Sequence, residues 1–219
     1  MNAKQSIPLY LFAKAPEPNQ VKTRMQPSLS PQHSAELAAM MLEDAMSKVS
    51  KYWEGEKILA TAPDIEHPTL QTLATHYEFR LEEQVEGDLG IKIWHVLEQG
   101  MLQSGGVVVL GSDVPLIPDY VIRDTYQYIC QGTNVVGPTL DGGFYLLGLT
   151  SLIKGIFANI QWSTGSVYDS LKRNTKSSNI QLTEHPILRD IDNIEDLQWL
   201  ADQDARYQKF MVENRYSMR

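Results

Sequence analysis

The sequence predicts an α/β fold: a three-layer α/β/α sandwich around a mostly parallel, Rossmann-like sheet. Three observations carry this. Helical and extended patterns alternate along the 219 residues, as they must when crossover helices link parallel strands. Val107-Val108-Val109-Leu110 is an unbroken run of apolar β-formers, the pattern of a strand covered on both faces. The run ends in Gly111-Ser112-Asp113-Val114-Pro115, which places an oxygen ligand at a strand's carboxyl end, where open α/β sheets bind their ligands.

The elements follow in order. Ile7 to Ala13 is apolar enough for a first central strand, and Lys14 to Pro31, with Pro16, Pro18, Pro27 and Pro31, reads as a long loop. Pro31 and Gln32 open a helix whose apolar residues (Leu37, Ala38, Met41, Leu42, Ala45, Met46, Val49) recur at helical spacing. Lys57 to Ala62 reads as a strand, His67 to Tyr77 as a helix and Glu78 to Glu82 as a short strand. Asp88 is the N-cap expected for a helix through Ile93, Val96, Leu97, Met101 and Leu102. After the Val107 strand come a helix over Val121 to Gln131, strands at Asn134 to Pro138 and Gly143 to Leu149, and a helix over Val167 to Arg173. A last helix starts near Glu195. No repeat, low-complexity tract or linker divides the chain, so one domain over residues 1–219 is expected.

Composition narrows the function. The net charge is −8, from 27 acidic and 19 basic residues, which argues against a nucleic-acid-coating protein but leaves room for a small anionic ligand held by a few local cations. The single cysteine, Cys130, cannot form an internal disulfide and is expected to pack in its helix, in a reducing compartment. No signal-like pattern opens the chain and no apolar run approaches the roughly 18 residues of a membrane span, so a cytoplasmic protein without membrane contact is expected. The five histidines form no ligand-spaced pair, which argues against zinc. Trp53 and Tyr120 either cover the core or serve a homodimer interface.

The loop after the first strand holds Lys14, Lys22 and Arg24. If the Val107 strand lies beside the first, these cations face Asp113 across the crevice, a suitable setting for a polyphosphate. The loop is not a P-loop, because the G-x-x-x-x-G-K-[ST] pattern is absent. Asp141-Gly142-Gly143 lies between two extended runs; it is either a hairpin turn or a place where backbone approaches a sugar or phosphate, with Asp141 as a second carboxylate. Ser163 or Thr164 either caps the next helix or belongs to the site. Asn193 reads as a cap, while Asp190 and Asp192 are further candidate carboxylates, either ligating a metal or supporting its ligands.

Six blocks, FAKAPEPNQVKTR, EGDLG, GSDVPLIP, GPTLDGGFYLLGL, QWSTGSV and DIDNIEDL, stand in this order from about Ile7 to Leu197. Together they resemble a bacterial glycosyltransferase-like family with the nucleotide-diphospho-sugar transferase (GT-A) fold, some of whose members are linked to arsenosugar biosynthesis. That family is more distantly related to molybdenum-cofactor and phospholactate nucleotidyltransferases. The resemblance implies a transferase using Mg²⁺ or Mn²⁺, a nucleotide or nucleotide-sugar substrate and a small-molecule acceptor. It maps the basic loop onto Lys22 and Arg24, the metal aspartate onto Asp113, and the Asp-Gly-Gly onto Asp141, Gly142 and Gly143; Lys14 and Ser112 join the nucleotide-binding set, and Asp141 is the candidate base. Two departures stand out: Asn19 replaces the usual glycine after Pro18, and Ile91-Lys92-Ile93 replaces Glu-Arg-Met. The resemblance favours glycosyl transfer. The single carboxylate of Asp113-Val114-Pro115, where many metal-dependent glycosyltransferases carry Asp-x-Asp, favours the alternative, nucleotidyl transfer onto a phosphorylated small molecule. A catalytically silent nucleotide-binding protein is the reading from another class. The loops from Pro63 to Gly87 and from Thr150 to Ser166 are expected to shape the acceptor side.

Overall fold

In a computed structural model, which describes residues 6–26 and 28–214, seven strands form one sheet in the order β3-β2-β1-β4-β6-β5-β7. Pro27 of the first loop lies outside the described residues. The strands are β1 (Leu9–Lys14), β2 (Lys57–Ala62), β3 (Arg80–Glu83), β4 (Val107–Gly111), β5 (Val135–Pro138), β6 (Phe144–Leu149) and β7 (Thr183–Glu184). Between and after them run α1 (Pro31–Tyr52), α2 (Pro68–Tyr77), α3 (Leu89–Gln103), α4 (Asp119–Cys130), α5 (Val167–Ser177), α6 (Ile194–Gln203) and α7 (Ala205–Glu213). The expected first-strand and Val107-strand neighbours do pair in parallel, with Phe12 opposite Gly111.

Alternation along β1 builds the two cores. Leu9, Leu11 and Ala13 face α1, α2 and α4, while Tyr10 faces α3 and α5. The Val107 run is covered on both sides in the same way, Val108 and Leu110 in one cluster and Val107 and Val109 in the other. Each such side chain removed from water contributes about 1.5–3 kcal/mol, so the apolar run specifies a central position. A third cluster lies outside the sandwich, where α6 and α7 pack Leu197, Leu200, Tyr207 and Phe210 onto Leu37 and Met41 of α1.

One strand runs against the rest. β6 is antiparallel to both β4 and β5, because β5 and β6 are joined by a tight hairpin rather than a crossover helix. The carboxyl ends of β1, β2, β4 and β5 therefore share one edge, and the β5–β6 turn lies on it.

Some expectations need correction. Cys130 does not pack: it is the last residue of α4 and is exposed, because the buried face of that helix is Val121, Ile122, Thr125, Tyr126 and Ile129. The terminal helix is two helices, broken at Asp204, which caps α7 through Arg206 N–H. β7 was not expected; its two residues carry no strand pattern and pair with β5, with Lys172 of α5 donating to Glu184 at 2.8 Å. Trp53 is core, edge-on to Tyr126 and donating Nε1–H to the Ile7 carbonyl at 3.0 Å, while Tyr120 is exposed.

Candidate active site

The loop after β1 turns twice through the left-handed region. Asn19 (φ 67°) and Lys22 (φ 47°) both adopt it. Asn tolerates this conformation better than most residues, so its replacement of glycine preserves the turn; Lys22 does not, and its backbone carries strain of the kind concentrated at ligand sites. A 3-10 turn, Thr23–Met25, follows and anchors Met25 in the core.

That geometry aims Lys22 across the sheet edge. Its ammonium donates to Asp113 Oδ1 at 2.5 Å and to the Ile191 carbonyl at 2.7 Å, and lies 3.7 Å from Asp192 Oδ1. The Lys22 side chain is 7% exposed, against 54% for Asp113, so the cation is enclosed and the anion opens to solvent. Arg24 Nη1 donates to Asp192 Oδ2 at 3.0 Å and is otherwise exposed. The Ile191 N–H bonds the Asp113 carbonyl at 3.0 Å, pinning the 190–192 segment to the end of β4. Lys14 is exposed at the end of β1, and Ser112 is partly buried next to Asp113. The structure thus joins Lys22, Arg24, Asp113 and Asp192, and gives Lys14 no polar partner among the described residues.

The Asp-Gly-Gly segment is a hairpin turn. Asp141 Oδ1 accepts from Thr139 Oγ1 at 2.5 Å and from Gly143 N–H at 2.9 Å, which fixes the carboxylate as part of the turn. Its Oδ2 has no hydrogen bond among the described residues. Gly142 needs to be glycine: its φ is 86° and a Cβ would stand 2.1 Å from the Gly165 carbonyl. That contact seats the Ser163–Ser166 loop on the turn, and Tyr168 N–H bonds the Gly142 carbonyl at 2.8 Å. Ser163 and Thr164 are not the helix cap; Ser166 occupies that position, without a side-chain cap bond. The Trp162 ring lies over Gly90, where a Cβ would meet it at 2.7 Å, and edge-on to Phe157. EGDLG therefore supplies a cap, Asp88 to Ile91 N–H at 2.9 Å, and a close packing point for the aromatic wall.

Asp190 is half-buried, and its carboxyl is pushed up to about 6, first by burial and then by the neighbouring Asp141 and Asp192 carboxylates. Asn193 caps α6 in a reciprocal box with Asp196, as its sequence pattern predicts. Gln84 carries no sequence signal, yet its side-chain amide donates to the Ala60 carbonyl at 2.8 Å and the Ala13 carbonyl at 3.3 Å, tying the ends of β1 and β2. Among the described residues, no three His, Cys, Asp or Glu side chains converge to hold a metal unaided.

A curated relative, the phosphoenolpyruvate guanylyltransferase of Roseiflexus castenholzii, is 25% identical over 201 residues, covering 89% of each chain. Among solved structures, a protein of Desulfovibrio desulfuricans, provisionally named a nucleotide-diphospho-sugar transferase, superposes with a TM-score of 0.85 at 22% identity over 96% of both chains. A cytidylyltransferase from Leptospira borgpetersenii superposes at 0.57 with 12% identity, covering 98% and 97% of the two chains. A fold neighbour from Mycobacterium tuberculosis, solved in complex with manganese, matches at 0.53 with 12% identity over 92% and 100%. The fold is therefore that of the nucleotide-diphospho-sugar transferases, and the guanylyl- and cytidylyltransferases among these proteins are nucleotide-transferring enzymes. A sequence model described as "uncharacterized protein conserved in bacteria" matches residues 45–164, which include Asp113 and the Asp141 turn, and by this match over more than half its length the chain belongs to the DUF2064 family.

Proposed function

We propose that the protein is a divalent-metal-dependent nucleotidyltransferase that moves a nucleoside monophosphate from a nucleoside triphosphate to a small phosphate-bearing acceptor. The observation that carries this is the Lys22 ammonium held between Asp113 and Asp192 at the carboxyl edge of the sheet. Two carboxylates from distant segments already share one positive charge there. Asp190 adds a third acid whose charge is disfavoured first by burial and then by its neighbours, a penalty that a bound cation would offset. Mg²⁺ is commonly bound by one or two carboxylates with substrate phosphates completing its shell, so the lack of a full protein ligand set fits Mg²⁺ or Mn²⁺ here. The named relative's activity points to the same class of reaction.

In this reading an acceptor phosphate oxygen attacks the α-phosphorus of the triphosphate, the bond from that phosphorus to the bridging oxygen breaks, and pyrophosphate leaves. The metal, held by Asp113 with Asp192 or Asp190, would neutralise charge on the phosphate oxygens. Arg24 offers a planar fork and Lys14 a compact charge toward the departing pyrophosphate. Lys22 holds Asp113 and Asp192 in register, and its ammonium would offset phosphate charge at the same edge. Gly142 and Gly143 let the turn backbone approach the nucleotide, and Ser112 lines the same edge. Asp141, with one oxygen committed to the turn, positions rather than takes up a proton. Ser163, Thr164 and Ser166, on the loop seated against the Gly142 turn, would shape the acceptor side.

Glycosyl transfer, favoured by the resemblance, has less support: the residue two after Asp113 is a buried proline and offers no second carboxylate. The test is product analysis with Mg²⁺, each nucleoside triphosphate and phosphorylated acids including phosphoenolpyruvate. Pyrophosphate release that requires the acceptor, with a product heavier than it by one nucleotidyl group, supports the proposal. Sugar transfer from a nucleotide sugar with diphosphate release would replace it with the glycosyl reading. Inertness towards every donor would favour a silent binding protein.

A further inference from the structure

The Lys22 ammonium supplies positive charge to the carboxylates of the sheet edge, and it is built in rather than passing. Its side chain is 7% exposed. The backbone around it is anchored: Val21 and Met25 are buried, and Met25 N–H bonds the Lys22 carbonyl at 2.9 Å. The head donates to Asp113 Oδ1 at 2.5 Å and to the Ile191 carbonyl at 2.7 Å, and these two acceptors are tied together by the Ile191 N–H on the Asp113 carbonyl. Exposed ion pairs are loose and weak. This cation is enclosed, and a second, uncharged acceptor fixes it.

Asp192 is served in the same way. Arg24 donates to its Oδ2 at 3.0 Å, and its Oδ1 lies 3.7 Å from Lys22. Among the described residues nothing donates to Asp113 Oδ2. The free protein has thus already neutralised the carboxylates that the nucleotidyl-transfer reading assigns to a divalent metal. A dication on Asp113 Oδ1 would compete for the ammonium's own acceptor, and one on Oδ2 would lie across a single carboxylate from it. Like charges that close repel well inside the roughly 8 Å over which physiological salt screens them. A polyphosphate reverses the balance, because its negative charges satisfy both cations at once.

We propose that Lys22 is an internal counter-cation that makes metal binding conditional on the nucleotide: the free protein holds a divalent ion poorly, and metal and polyphosphate bind together. The inference rests on the reading of Asp113 as a metal ligand and adds to it an order of binding. It also gives the left-handed backbone at Lys22 (φ 47°) a role, since that turn delivers the ammonium to Asp113.

Mn²⁺ alone, titrated into the protein and counted as free ion by electron paramagnetic resonance, tests this without any turnover. Lys22→Met, which removes the charge and keeps the length, is expected to bind Mn²⁺ about 10-fold more tightly than wild type. Lys22→Gln, which keeps a donor for the Ile191 carbonyl, is expected to show the same gain and covers a loss of folding in the methionine variant. The gain is expected to vanish when Asp113→Asn is added to Lys22→Met. Lys14→Met, which removes an exposed cation from the same edge, is expected to change binding by less than about 2-fold. An unchanged Kd in both Lys22 variants, a gain that survives Asp113→Asn, or an equal gain in Lys14→Met would each overturn the proposal. Thermal unfolding of the wild type with Mn²⁺ and each nucleoside triphosphate separates two failures. A midpoint raised by the pair, with no effect of Lys22 on Mn²⁺ alone, overturns only the counter-cation role; no rise with any triphosphate overturns the metal and nucleotide site on which it rests.

Discussion

Lys22 and Asp113 meet at 2.5 Å although 91 residues separate them in sequence, and the cation is the enclosed partner. Removing the anion therefore strands a nearly buried ammonium that keeps only the Ile191 carbonyl and the more distant Asp192. For Asp113→Asn we predict a stability loss of about 1 kcal/mol, a midpoint shift of about 2–4 °C. We also predict a fall in kcat/KM of about 100-fold or more, equivalent to about 2.7 kcal/mol of transition-state stabilisation. Metal-dependent stabilisation by nucleotide should vanish; its persistence would remove Asp113 from the metal site.

Gly142 and Gly132 separate backbone strain from collision. Both have positive φ, 86° and 79°, but a Cβ at Gly142 strikes the Gly165 carbonyl whereas one at Gly132 meets nothing within 4 Å. Gly132→Ala should cost about 1 kcal/mol in denaturant titration. Gly142→Ala should cost about 3 kcal/mol and abolish transfer, because the Ser163–Ser166 loop loses its seat. Equal costs would show that the turn and loop do not touch in solution.

His185 should make stability depend on pH. It is 7% exposed, and its Nε2 lies 2.8 Å from Thr125 Oγ1. Thr125 donates its own proton to the Val121 carbonyl at 2.7 Å, so Nε2 carries the hydrogen and Nδ1 is the atom that would take up a proton. Burial lowers the pKa, opposed in part by Asp124. The unfolded chain then binds the proton more readily than the folded one. Stability is complete above the ordinary histidine range near 6.5 and declines as pH falls through it. The wild-type midpoint should drop from pH 7.5 to 5.5 more steeply than that of His185→Gln; parallel slopes would refute the assignment.

The α7 anchor is a shared acceptor. Tyr207 Oη donates to buried Asp44 Oδ2 at 2.7 Å, and the Arg206 guanidinium pairs with the same carboxylate. Tyr207→Phe should cost about 1–2 kcal/mol, while Arg206→Ala, at a 60%-exposed side chain, should cost less than about 1 kcal/mol. The double variant should depart from additivity, because both act on Asp44. Strict additivity in urea titrations would show that Tyr207 and Arg206 act independently and do not share Asp44 in solution.

What the sequence disclosed was local. Val107 to Leu110 announced a strand covered on both faces, Asp88 and Asn193 announced helix starts, and Asn19 announced a left-handed turn, since each signal lies within a few residues of its effect. Even the pairing of β1 with β4, inferred from the sheet rule, brought Lys22 to Asp113. Nothing local marked Gln84, whose partners are carbonyls on two other strands, or β7, whose two residues have no pattern without β5. Cys130 was misplaced for the same reason: periodicity finds an apolar face, but only the packed helix shows that its last residue has turned off it.

The Lys22–Ile191 bond spans 169 residues, and this orders events during synthesis. While the ribosome is still making the residues before Ile191, the β1 loop has no carbonyl to receive its ammonium and Asp113 has no N–H from Ile191 to hold it. β1 to β6 can dock before then, yet the carboxyl edge of the sheet takes its final shape only once the 190–192 segment emerges. A nascent chain released early would carry the sheet with Lys22 and Asp113 lacking their Ile191 partners.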